Sequence, residues 1–111
     1  MASVTEDRAL LKRLFEAWQR WPRAEAKFKV VPLMDEADNR FVLLTVGWDG
    51  PRRIHNVLVH VDIIDGKFWI QRDNTEEGFA TELVAAGVSK ERIVLAFYPE
   101  SVRQYGDYAV G

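Results

Sequence analysis

Leu10, Leu11, Leu14, Phe15, Trp18 and Trp21 recur at spacings of three and four with charged residues between them. That period predicts an amphipathic helix whose apolar stripe faces a core. Ser3 and Glu6 have the spacing of a capping box, Thr5 is a rival cap, and Pro22 is expected to end the helix near Trp21. The two tryptophans read as core packing.

At Lys27 the period changes to two. Strand-like runs follow at Lys27 to Met34, Arg40 to Trp48, Ile54 to Ile64 and Lys67 to Gln71. The connections carry turn chemistry: the polar stretch Asp35 to Asn39, then Asp49-Gly50-Pro51, then Asp65-Gly66, a dipeptide suited to a tight hairpin. Short turns make successive strands neighbours, so the region reads as a four-stranded antiparallel meander. In the third strand, strict alternation puts Val57, Val59, Val61 and Ile63 on one face and Asn56, Leu58, His60 and Asp62 on the other.

Asn74 is expected to cap a second helix with Glu76 and Glu77 in its first turn, running to about Ala86. Gly87 is placed to terminate it, and Val88 to pack back on Leu83. Ser89 to Arg92 reads as a turn, Ile93 to Tyr98 as a fifth strand and Pro99 as its end. The tail from Tyr105 to Val110 is too apolar for a loose end. The expected architecture is α+β: an antiparallel meander sheet of about five strands with helices packed on one face, in one domain spanning 1–111.

Composition narrows the functions open to such a domain. With 111 residues, 48% of them hydrophobic, a core forms without staples. Cysteine is absent, which excludes a disulfide framework, a thiolate zinc site and a cysteine nucleophile, and suits a reducing cytoplasm, the expected location. No run is long enough for a membrane span and the N-terminus lacks the sections of a signal peptide. Fifteen basic against 17 acidic side chains give a net charge of -2, so direct DNA binding is expected to be weak or absent.

Candidate chemistry is sparse. His60 and Asp62 share one side of a strand, and Asp73 and Glu76 follow the next strand. They form either a hydrogen-bonded polar cluster or, if all four converge, a divalent cation site for a small metal-dependent enzyme acting on nucleic acid. The donor set has no recognised metal spacing, so the polar cluster is preferred. No catalytic residue, metal or cofactor is assigned: the serines lie outside any nucleophile elbow, and the glycines have neither the P-loop nor the dinucleotide spacing. Trp48, Arg52 and Arg53 gather near a hairpin tip, and Tyr105 and Tyr108 mark the tail. These five are residue types that dominate binding energy and are expected to form a protein-binding surface. The competing reading has the tyrosines closing the core and the arginines paired with nearby acids.

Val46-Gly47-Trp48-Asp49-Gly50, Arg52-Arg53, His60-Val61-Asp62-Ile63 and Gly66-Lys67-Phe68-Trp69-Ile70-Gln71 resemble, in order, the middle of XisI family proteins, the fdxN element excision controlling factors. Asp73, Thr75-Glu76, Glu82-Leu83-Val84, Gly87-Val88, Ile93 to Phe97, Arg103, Tyr105 and Tyr108-Ala109-Val110 continue the resemblance to the end, whereas the N-terminal helix is generic. The resemblance implies an accessory, non-enzymatic role in DNA rearrangement, with strand exchange left to a separate recombinase. It also implies a XisH-like partner protein and no catalytic residues to carry over. A homo-oligomer is the alternative association.

Overall fold

The computed structural model describes residues 3–20 and 27–111. Helix α1 spans Val4–Arg20. Its start follows the expected cap: the Glu6 N–H donates to Ser3 Oγ at 3.2 Å. Leu11 and Phe15 are fully buried, and Leu10, Leu14 and Trp18 pack on the same core. Trp21 and Pro22, on which the expected helix end rests, lie outside the described residues.

Strands β1 (Phe28–Asp35), β2 (Arg40–Asp49), β3 (Arg52–Ile64) and β4 (Lys67–Asp73) pair antiparallel in sequence order. Asp65 and Gly66 both have positive φ, 50° and 76°, the backbone of a type I′ turn whose twist matches that of the strands it joins. Gly47 allows β1 and β2 to close: a Cβ there would lie 2.1 Å from the Lys27 carbonyl oxygen.

Strict alternation fails in β3. Leu43 pairs with Val59 but Leu44 pairs with Val57, so Leu58 is an inserted residue, a bulge. Cross-strand partners share a face, and Leu43 is buried where Leu44 is not. Val57 therefore joins the outer face, and Leu58 packs against the core, the reverse of the sequence expectation for both. A second bulge in β4 skips Gln71 between the pairs His60 with Arg72 and Val61 with Ile70. It carries Asp73 onto the core side, opposite Val59.

Helix α2 spans Phe79–Ala85, and Asn74 does not cap it. The Asn74 backbone N–H donates to the Leu58 carbonyl and its Nδ2 to the Val57 carbonyl, both at 2.8 Å, satisfying oxygens at the β3 bulge. Asp73 organises the helix entry instead. Its Oδ1 accepts the Thr75 N–H at 2.9 Å and the Thr75 hydroxyl at 2.6 Å, and its Oδ2 accepts the Phe79 N–H at 2.6 Å. Glu76 and Glu77 precede the helix rather than lying in its first turn. The helix ends as expected: Gly87 has φ 100°, and the Val88 and Gly87 N–H groups donate to the Leu83 and Val84 carbonyls.

A 3-10 turn over Lys90–Arg92, capped by Ser89, leads into β5 (Ile93–Leu95). This strand pairs parallel to β4, so the sheet is antiparallel only across its first four strands. The chain returns through α2, a crossover that brings it back in the direction it left. The expected strand to Tyr98 stops at Leu95, where the Tyr98 N–H turns back onto the Leu95 carbonyl, and a short helix α3 (Glu100–Arg103) begins after Pro99. The architecture is α+β. Helices α1 and α2 meet on one face of the sheet, where Phe15 and Phe79 pack edge to face with ring centres 5.7 Å apart.

Candidate interaction site

At the β2–β3 tip, Gly50 adopts φ 58° and the strands stay paired up to Asp49 and Arg52. Trp48 is 57% exposed, its ring covered in part by the Arg53 guanidinium 5.0 Å from the ring centre. Arg53 also donates to the Gly47 carbonyl at 3.4 Å. Arg52 lies 3.6 Å from Asp49, which is also 2.8 Å from Lys27. The tip cations are thus partly neutralised by Asp49 or spread over an indole, a surface suited to stacking and directional pairing more than to a run of phosphates.

The tail forms a second exposed region. Tyr105 is 86% exposed, Tyr98 and Val102 are about half exposed, and these three with Leu95, Arg103 and Tyr108 line a cavity of about 310 Å³. Arg103 holds the region together: it donates to the Val110 and Tyr98 carbonyls, both at 2.8 Å, and lies 5.8 Å above the Trp69 ring. Tyr108 is half-buried against the core with the Lys90 ammonium 5.8 Å from its ring centre, while the Ala109 N–H donates to the Ile93 carbonyl. Of the two tail tyrosines, Tyr108 closes the fold and Tyr105 faces solvent. Tyr98 is exposed because the chain leaves the sheet after Leu95, short of the expected strand end, and Val102 lies in α3, which the strand pattern does not reach.

The polar cluster does not assemble. His60 Nε2 is 2.9 Å from Asp62 Oδ1, Gln71 Nε2 donates to Asp62 Oδ2 at 3.3 Å, and Arg40 lies 3.9 Å away, all on the outer face. Asp73 is on the core side, bound to backbone at the entry of α2, and Glu76 lines a separate groove. The β4 bulge at Gln71 decides this, because it moves Asp73 to the face opposite His60 and Asp62. The convergence that a metal-dependent enzyme would need from these four residues is not formed, and no group of three ligating side chains occurs among the described residues.

The groove that takes Glu76 has a volume of about 670 Å³ and is lined by Trp18, Phe28, Leu58, Asn74 and Glu82 among others. The Trp18 indole N–H donates to both Glu82 carboxylate oxygens, at 2.9 and 3.1 Å. Burial raises the Glu82 pKa above the ordinary value of 4.5, against the opposing pull of that indole bond. Neither residue was singled out as a site.

With this geometry in place, similarity to known proteins decides the family. A family model described as XisI protein matches residues 1–110. The chain belongs to the XisI family. A XisI-like protein from Anabaena variabilis ATCC 29413 is 34% identical, with 98% of this chain and 100% of that chain covered and a TM-score of 0.88. The fdxN element excision controlling factor XisI of the same organism shares the XisI fold at 24% identity, with 97% and 98% of the two chains covered and a TM-score of 0.79. No curated protein matches. No helix among the described residues is long and apolar enough to cross a membrane.

Proposed function

We propose that this chain is a cytoplasmic accessory factor that controls site-specific DNA excision by binding a XisH-like protein, leaving strand chemistry to other proteins. The observation that carries this reading is the family match along residues 1–110, joined by the fold shared with a protein described as an excision controlling factor. The exposed aromatic side chains at the two ends of the sheet support a binding role. Tyr105 and Tyr98 beside the 310 Å³ cavity, and Trp48 with Arg52 and Arg53 at the tip, offer large contact area with directional polar atoms.

Copurification with a XisH-like protein from the same genome tests the reading. Association at micromolar concentration is expected, weakened about tenfold or more by Tyr105→Ala with the melting temperature unchanged. Failure to associate would overturn it. The isolated chain is expected to bind duplex DNA with a Kd of about 10⁻⁴ M or weaker at physiological salt, and nanomolar, sequence-selective binding would contradict an accessory role.

A further inference from the structure

Among the described residues no helix covers the outer face of β1, β2 and β3, yet its middle is aliphatic. Val31, Leu33, Val42, Leu44, Val46 and Val57 alternate with the core-facing residues and form a continuous patch, with Leu33 53% exposed. The register arranges this face in rows across the three strands. Nearest the tip stand Trp48 and Arg53, and next come Lys29, Val46 and His55. The central row is Val31, Leu44 and Val57. Beyond it lie Leu33, Val42 and His60, and last Asp35, Arg40 and Asp62. The face is therefore basic and aromatic at one end, apolar in the middle, and carries both of its carboxylates at the other end.

We infer that this face is the interface of a two-fold dimer of the chain, with the two sheets stacked face to face and their strands running in opposite directions. A two-fold axis through the central row and perpendicular to the strands keeps each strand over its own copy and exchanges the ends. Leu44 then meets Leu44, and Val46 meets Val42. Arg53 of one copy stands over Asp62 of the other, and Trp48 stands over Arg40, an ion pair and a cation–π pair each formed twice. The apolar rows match apolar rows, and the charged end meets its opposite. About five rows roughly 6.8 Å apart over three strands about 4.8 Å apart give a flat footprint near 500 Å², so a pair buries about 1,000 Å², the size at which specific interfaces begin. This dimer covers Trp48 and Arg53 at the tip and leaves Tyr105, on the other edge of the sheet, open to the XisH-like partner.

Sedimentation equilibrium of the full chain from about 1 to 500 µM tests it, a range that spans ordinary homodimer affinities. A monomer–dimer equilibrium is expected. Leu44→Glu, which sets two carboxylates against each other on the axis, should raise the dimer Kd by about 100-fold or more. Arg53→Asp and Asp62→Arg should each weaken the dimer, and the double exchange should restore it to within about tenfold of the parent. Arg53 touches no core residue, so its variant remains informative if Leu44→Glu fails to fold. A parent chain that stays monomeric throughout, as it would if another protein or a nucleic acid covers this face, overturns the inference. So does a dimer that survives both Leu44→Glu and Arg53→Asp.

Discussion

The carboxylate of Asp7 lies 2.6 Å from the Arg92 guanidinium, tying the first turn of α1 to the turn before β5 across 85 residues. Asp7 is buried, and Arg92 is fixed from the other side by its Nε–H bond to the Gly66 carbonyl at 3.0 Å and by the Phe68 ring 5.4 Å away. Arg92→Ala leaves a buried carboxylate without its cation and should lower the unfolding free energy by about 3 kcal/mol in urea titration. Asp7→Leu combined with Arg92→Met removes both charges and should lose less than Arg92→Ala alone.

Asp73 is expected to matter more to stability than its neighbour Asn74. Asp73→Ala removes three acceptor contacts at the start of α2 and should cost about 2 kcal/mol, whereas Asn74→Ala removes one side-chain bond and should cost about 1 kcal/mol. Thermal unfolding of the two variants side by side checks the order.

Gly47→Ala should destabilise the protein by about 2 kcal/mol or more. The new methyl would meet the Lys27 carbonyl oxygen at 2.1 Å and the Phe28 Cα at 2.6 Å, both backbone atoms, so β1 must move away from β2. Faster amide exchange in β1 than in β4 would locate the damage.

The raised pKa of Glu82 sets a sign for one pH effect. The folded state holds the proton more tightly than the unfolded chain, so this group's stabilising contribution is present in acid and is lost as pH rises from the ordinary value of 4.5 through the raised folded value. Glu82→Gln keeps an oxygen for the Trp18 indole but cannot ionise. Its melting temperature should match the parent's below pH 4.5 and exceed it at neutral pH, with the gap opening across that window.

Features with local causes were legible in the sequence. The Ser3 cap, the Asp65-Gly66 turn and the Gly87 helix ending each depend on residues a few positions apart, and each formed as read. What escaped were consequences of pairing between distant segments. Nothing near Leu58 or Gln71 marks either as a bulge, because a bulge is set by the partner strand. From those two insertions follow the position of Val57, the separation of Asp73 from His60 and Asp62, and the capture of Asn74 by β3 carbonyls. The parallel sense of β5 likewise depends on how α2 crosses the sheet.

The meander has a kinetic consequence. Strands β1 to β4 pair with the neighbour that follows them in the chain, so each pairing closes a short loop at small entropic cost, whereas joining Asp7 to Arg92 must order nearly the whole chain. The hairpins are therefore expected to form the folding nucleus, with α1 and β5 docking afterwards. In stopped-flow refolding, Gly66→Val should mainly slow folding and Arg92→Ala should mainly speed unfolding. A chain whose last step is the clasp between its two ends exposes its sheet before it exposes its helices to one another, so the interval before that clasp closes is when the protein is most open to misassociation.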